Sequence, residues 1–333
     1  MTLRFGVLGA GRIGRVHSKA IASTAGARLV AIADPVAKAA QDMADAYGCE
    51  IRTIDAICAS TDIDAVVICT PTDTHSDLIE QFVRAGKAVF CEKPVDLSVK
   101  RVQDCLKVVA AEKGVLMVGF NRRFDPDFMA VKAAIDAGKI GKVEMVTISS
   151  RDPGAPPADY ITRSGGIFRD MTIHDFDMAR WLLGEEVETV QAAASVLTDP
   201  AIGKLGDFDS VNVILRTASG KQAVITNSRR AAYGYDQRIE VLGSLGAVSA
   251  LNMAEANIEI ADATGFHRPP LLNFFMSRYT AAYANEIAGF VATVTGKTAT
   301  PTTGADGLAA IVLAEAALKS VAEGRTVKVS EVV

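Results

Sequence analysis

The hexapeptide Gly9-Ala10-Gly11-Arg12-Ile13-Gly14 constrains this chain more than any other stretch, because of what stands on either side of it. An apolar run at 4–8 precedes it and an amphipathic pattern at 13–23 follows it. Asp34 lies twenty residues beyond Gly14, at the end of the next apolar run, 28–33. A lone G-x-G-x-x-G is weak evidence, since glycine-rich turns are common. Strand, turn, helix and a later carboxylate together make a dinucleotide-binding fingerprint. The glycines allow a tight turn and a close approach of backbone to a pyrophosphate, and the helix N-terminus supplies N–H groups and a favourable dipole. Asp34 can accept from both hydroxyls of an adenosine ribose and would repel a 2′-phosphate, which favours NAD over NADP.

The same alternation continues. Apolar runs at 65–69, 88–91 and 115–119 are separated by helical patterns at 36–47, 74–84 and 99–112. Continuous apolar strands between helices predict an α/β fold with a doubly wound parallel sheet covered on both faces. Ligands of such sheets bind outside the carboxyl ends of the strands. That places Thr70, Pro71, Thr72 and His75 after one strand, and Glu92 and Lys93 after the next, at the ligand edge. With Gly9, Gly11, Arg12, Ile13, Gly14 and Asp34 they are the candidate cofactor contacts; His75 has the alternative of capping a helix. The end of the strand at 88–91 is unusual: an acid and a base stand side by side, and Pro94 then biases Lys93 toward extended backbone. This reads as a lysine held at a site.

The pattern changes after residue 120, which divides the chain into a cofactor domain, 1–120, and a second domain, 121–333. A helix at 126–137 is followed by β-branched runs at 142–150, 187–196, 210–217, 222–228, 237–242 and 247–251, and then by helices at 271–295 and 305–322. This predicts an α+β domain with a large open, mostly antiparallel sheet. Helices on one face leave apolar residues on the other, so the sheet is expected to bury that face against further copies of the chain. Within the domain, 165–184 reads as one helix with Asp170, His174 and Asp177 at i, i+4 and i+7 on one stripe. A polar stripe on a buried helix is either satisfied by partners or serves a site. The plainer reading is an Asp–His pair that supports the helix. The functional one is oxidation of an alcohol, whose hydroxyl proton must leave with the hydride. His174 suits the base, Asp170 would orient it, and Lys93 would steady the developing alkoxide.

Other classes are excluded more simply. A chain of 333 residues suits two domains. Its net charge of −4, with no basic run, argues against nucleic acid. No apolar run reaches the roughly 20 residues of a membrane span, and the immediate strand at the N-terminus argues against a secretory signal. Five cysteines without CxxC spacing read as free thiols in a reducing cytoplasm, with no metal site expected.

Taken in order, Gly9–Gly14, Thr70-Pro71-Thr72, Cys91-Glu92-Lys93-Pro94, Gly119-Phe120-Asn121-Arg122-Arg123-Phe124 and Asp170-x-x-x-His174 resemble the glucose–fructose oxidoreductase/inositol dehydrogenase (Gfo/Idh/MocA) family over essentially the whole chain. The stretches 165–177 and 227–238 are most similar to its inositol-oxidising members. The resemblance implies NAD-dependent oxidation of myo-inositol at carbon 2 to 2-keto-myo-inositol (scyllo-inosose), with Lys93, Asp170 and His174 as the catalytic set. It also implies that Arg122, Asp152, Asp177 and Tyr233 bind substrate hydroxyls, and that the chain forms a homotetramer; the Asn121 amide is a further candidate, able to bond the ring or the nicotinamide carboxamide. Family members that oxidise inositol often carry Met where this chain has Asn121, which bears on the choice of stereoisomer. The rival readings are a dehydrogenase of scyllo-inositol, another isomer or a pyranose sugar, and an NAD-binding sensor without chemistry.

Overall fold

The computed structural model describes residues 2–332, which form two compact units: the stretch up to Asp125 with Thr280–Ile311, and Pro126–Tyr279 with the stretch from Val312 on. The first begins with β1 (Leu3–Leu8), α1 (Arg12–Ser23), β2 (Ala27–Ala33), α2 (Ala37–Tyr47), β3 (Glu50–Ile51) and α3 (Ile54–Ala59). It continues with β4 (Ala65–Ile68), α4 (His75–Arg84), β5 (Ala88–Glu92), α5 (Val99–Ala111) and β6 (Leu116–Gly119). The six strands lie in the order β3-β2-β1-β4-β5-β6, every neighbouring pair parallel. The order reverses direction between β1 and β4, which is where such sheets take their ligands. β4 and β5 are buried along their whole length, as strands covered on both faces must be. Only β3 and α3 escape the sequence pattern: two exposed residues and one short helix, whose start is capped by Thr53 accepting from the Ala56 N–H.

The second unit opens with α6 (Pro126–Asp136), β7 (Val143–Arg151), α7 (Ala158–Ser164), α8 (Ile173–Leu183), β8 (Val187–Ser195) and α9 (Pro200–Lys204). Then come β9 (Ser210–Thr217), β10 (Gln222–Ser228), β11 (Asp236–Gly243), β12 (Gly246–Ala250), the hairpin β13 (Ile260–Asp262) and β14 (Gly265–His267), and α10 (Phe275–Arg278). Together with β15 (Val327–Lys328) the main strands form a seven-stranded sheet, β12-β11-β7-β10-β9-β8-β15. It is antiparallel except for the pair β10–β7. Side chains alternate strictly along β9: Val211, Val213 and Leu215 are buried, while Asn212, Ile214 and Arg216 are exposed. Register aligns Ile214 with Val224 and Val224 with Thr147, and Met145 with Leu242, so the exposed face carries an apolar scatter among charges.

The chain then returns to the first unit. The first run of that unit ends at Asp125, and α11 (Thr280–Val294) and the start of α12 (Gly304–Glu323) belong to it as well. Phe290 packs on Phe5 and Phe90 at ring distances of 6.0 and 5.7 Å. The Val118 N–H donates to the Thr302 carbonyl, which covers the open edge of β6. The single helix expected at 271–295 is thus two helices, α10 and α11, broken at Tyr279, because they pack into different units.

Candidate active site

In the first unit the glycine turn behaves as a phosphate cradle. Gly9 has φ +102°, and a Cβ there would stand 2.6 Å from the Cys69 carbonyl oxygen. A Cβ on Gly14 would lie 2.0 Å from the Gly9 carbonyl oxygen, so the turn closes only with glycine. A Cβ on Gly11 would meet nothing within 4 Å, and α1 begins there with no side-chain cap and no acid in its first turn. Its orphan N–H groups are therefore open to an anion. Arg12 and Ile13 form the first turn of α1. Asp34 follows β2 and braces the turn: Oδ2 accepts from the Ala10 N–H at 2.6 Å and Oδ1 from the Val36 N–H at 2.7 Å. A carboxylate has about four acceptor positions, so ribose hydroxyls can still bond to it. The residues present fit NAD.

The neighbouring strand ends converge on the same edge. After β4, Thr70 Oγ1 bonds Thr74 Oγ1 at 2.6 Å, and Pro71 and Thr72 lead into a short turn before α4. His75 is buried, and its two ring nitrogens stand 2.8 Å from the carbonyl oxygens of Pro94 and Thr70. A neutral imidazole donates to one of these two carbonyls, which ties the start of α4 to a strand-end loop. Glu92 also turns inward. One carboxylate oxygen lies 2.6 Å from His17 Nε2 and the other accepts from the Lys93 N–H at 3.2 Å, with 8 % of the residue exposed. Lys93 itself is half-buried between these ties. After β6, Asn121 and Arg122 occupy a buried 3₁₀ turn beside it in the sheet order. Behind Glu92, burial and then the Glu92 charge push the Glu286 carboxyl well above its usual range. Burial, then Glu92, likewise raise the Cys69 and Cys91 thiols, which leaves them inert.

In the second unit the helix expected at 165–184 runs without a break over 167–183 and is capped by Gly184 in the left-handed region, but its first turns are wider than α. Gly165, at φ +82°, ends α7, and a π-turn at Phe168–Thr172 precedes α8. An i→i+5 turn holds one more residue than an α-turn, about 100° of phase. Asp170 lies within that turn, one turn ahead of His174, and Asp177 follows on α8. At the helix start the Ile167 N–H donates to Asp207 Oδ1 at 2.9 Å, and a Cβ on Gly166 would come within 2.6 Å of the same oxygen. Asp170 accepts from the Tyr160 hydroxyl at 2.8 Å and from both terminal nitrogens of Arg229 at 3.4 Å. The Arg229 side chain is 1 % exposed and lies between Asp170 and Asp207. His174 is half-buried and Asp177 fully buried on α8. Asp175 joins α8 to the sheet, accepting from Ser150 Oγ at 2.7 Å and Asn227 Nδ2 at 2.8 Å. Asp152 follows β7, its N–H donating to Ser228 at the end of β10. Tyr233 donates to Asp236 at 2.6 Å and accepts from Arg151 at 2.7 Å. Burial opposes ionisation of Asp236, yet bonds from Arg238, Tyr233 and Asn252 hold it below the usual carboxylate range.

Sequence reasoning assigned no role to His17, Arg229, Tyr160 or Glu286. His17, three residues after Gly14 on the inward face of α1, was the most accessible of them to pattern. Among the described residues no group of three or more His, Cys, Asp or Glu side chains could hold a metal ion, and no helix is long and apolar enough to cross a membrane.

Known proteins resemble this chain along its whole length. Residues 3–120 match the family model described as an oxidoreductase family with an NAD-binding Rossmann fold, and 128–249 match the GFO/IDH/MocA C-terminal domain. An inositol 2-dehydrogenase of Rhizobium meliloti is 67% identical over 330 residues, 99% of this chain and 100% of that protein. A myo-inositol 2-dehydrogenase of Thermotoga maritima is 44% identical over 99% of this chain and 100% of its own length. A Lactobacillus casei scyllo-inositol dehydrogenase, solved with bound NAD(H) and scyllo-inositol, is 29% identical and superposes with a TM-score of 0.92 over 99% of this chain and 100% of that one.

Proposed function

This chain belongs to the Gfo/Idh/MocA family of oxidoreductases, and from that premise we propose that it oxidises myo-inositol at carbon 2 to 2-keto-myo-inositol with NAD. The observation that carries the reading is Lys93, held between two buried ties at the strand edge that also carries the glycine cradle. Gly9, Gly11, Arg12, Ile13, Gly14 and Asp34 hold the dinucleotide, with Thr70, Pro71 and Thr72 along the adjoining strand end. NAD, when bound, supplies the acceptor for the hydride that leaves carbon 2. An alcohol is too weak an acid to lose its proton first, so the base acts as the carbon is oxidised. His174 takes that proton. Asp170 orients the imidazole and balances the imidazolium charge. The Lys93 ammonium donates to the reacting oxygen, where negative charge grows. Asn121, Arg122, Asp152, Asp177 and Tyr233 bond the remaining hydroxyls of a ring that bears one on every carbon.

Scyllo-inositol is the second reading, favoured by the buried amide of Asn121 beside the Lys93 strand end. A screen of myo-inositol, scyllo-inositol, other cyclitols and pyranoses with NAD, followed by NADH absorbance, tests both. Fastest turnover of myo-inositol is expected; turnover of none of them removes the reading. Comparable kcat/KM with NADP would remove the role given to Asp34. The chain works as a homotetramer in the cytoplasm, associated through the sheet face that exposes Met145, Ile214 and Leu242. All five cysteines are unpaired, which suits a reducing compartment.

A further inference from the structure

We propose that His17 is a positioning residue for Lys93, acting through Glu92. The proposal rests on the role given to Lys93 above, and it concerns a side chain that the reaction itself does not touch. His17 is fully buried on α1, one turn beyond Gly14. Its ring sits edge-on between Phe90 and Tyr283, with centroids 5.0 and 5.4 Å away, so the imidazole has one place to be. Nε2 stands 2.6 Å from Glu92 Oε1, while Glu92 Oε2 accepts the N–H of Lys93. Both Glu92 oxygens accept, so Nε2 carries the proton and donates. Glu92 is thereby a two-ended link: one end grips the nucleotide-binding helix, the other the backbone from which the lysine departs.

Two further features point the same way. A Cβ on Gly119, the sheet neighbour of Glu92, would come within 3.2–3.3 Å of the Glu92 side chain and Cα, so the strand beside it is cut back to leave the carboxylate room. On the other side of Lys93 the Pro94 carbonyl lies 2.8 Å from His75 Nδ1, and the tautomer protonated there donates to it. In that tautomer the lysine is held just before and just after its own position, each time by a buried imidazole. A lysine that must present its ammonium to a developing charge needs such a fixed departure point, because a displacement near 1 Å can cost on the order of 10²-fold in rate. The same helix receives the pyrophosphate at its first turn and anchors Lys93 at its second, so cofactor and lysine share one rigid element.

The test uses the full chain and three variants. His17→Leu removes the donor, His17→Gln returns an amide N–H near the place of Nε2, and Gly119→Ala presses on the Glu92 carboxylate without touching His17. Circular dichroism and Tm establish that each is folded. In His17→Leu, kcat on inositol is expected to fall by at least ~30-fold while the Kd for NADH, read by fluorescence, stays within about threefold. His17→Gln should recover at least about tenfold of that loss, and Gly119→Ala should lower kcat by ~3–10-fold with NADH binding intact. A folded His17→Leu with kcat within threefold of the parent overturns the proposal, as does a loss that only tracks NADH binding or that His17→Gln shares in full. Hydrogen exchange of the peptide containing the Lys93 amide provides an arm independent of catalysis. It should accelerate at least about tenfold in His17→Leu and not in His17→Gln. Unchanged exchange overturns the link, even if kcat falls. Accelerated exchange in His17→Leu, together with a parent that oxidises no polyol, upholds the link and removes the functional reading instead. Should His17→Leu fail to fold, Gly119→Ala decides: unchanged kcat and unchanged exchange there overturn the proposal.

Discussion

The two units gather their site residues by opposite means. In the first, a parallel sheet delivers every strand end to one edge, so the glycine cradle, Asp34, Thr70, Lys93 and Asn121 come together through topology alone. The ties there are hydrogen bonds to backbone and one histidine–carboxylate contact. In the second, a mixed sheet has no such common edge. Asp170 is set by a π-turn and by a buried arginine 59 residues away that it shares with Asp207. The first half is positioned by the path of the chain, the second by charge.

Four substitutions press on that contrast, in falling order of effect. His174→Ala should lower kcat by roughly 10²–10⁴-fold, the range for a positioned base, with NADH binding unchanged; near-normal turnover would remove the second unit from the chemistry. Lys93→Met should lower kcat/KM for the polyol by at least about tenfold, since a bond to a charged group contributes about 1.5–3 kcal/mol and about 1.4 kcal/mol is a decade. Full activity in that variant would make the first half a cofactor site only.

Arg229→Met separates the two kinds of support most directly. It leaves the acids at Asp170 and Asp207 without their cation, which in buried pairs costs on the order of 3–5 kcal/mol. Urea unfolding should show a clear loss of stability, accompanied by a fall in kcat near tenfold because Asp170 is no longer fixed. A change within ±0.5 kcal/mol, the size of an ordinary surface substitution, would mean that charge does not hold this half.

Glu286→Gln has the smallest expected effect and acts only on stability. The folded protein holds the Glu286 proton well above the usual value of 4.5, owing to burial and then to Glu92. Above that pH the unfolded chain has released its proton while the folded chain keeps it, so this group costs stability as pH climbs. The carboxyl oxygens have no hydrogen-bond partner, so a neutral amide of the same shape loses nothing. Glu286→Gln should raise Tm at pH 8 and the gap should close as pH falls toward 4.5; a gap that widens on acidification would contradict the raised carboxyl.

How much of this was open to a reader of the chain follows from the same contrast. The five main strands of the first unit, the three glycines, Asp34 and the placement of Glu92 and Lys93 at one edge were legible, because periodicity and spacing are local properties and a parallel sheet converts them directly into position. The main strands of the second unit were legible for the same reason, with the ends of Ser210–Thr217 and Gln222–Ser228 as expected. The π-turn around Asp170 was not: it reads like any helix in sequence, and Asp207, which accepts from the Ile167 N–H at the helix start, stands forty residues on. The return of Thr280–Val294 to the first unit was hidden too, since an apolar helix does not state which core it fills. Only the packed structure brings the Pro94 carbonyl to His75 and His17 to Glu92, contacts that no spacing in the chain announces. Local pattern determines which residues reach the edge of a sheet. Which of them remain unengaged there depends on partners that folding brings from elsewhere, and those leave no mark in the spacing.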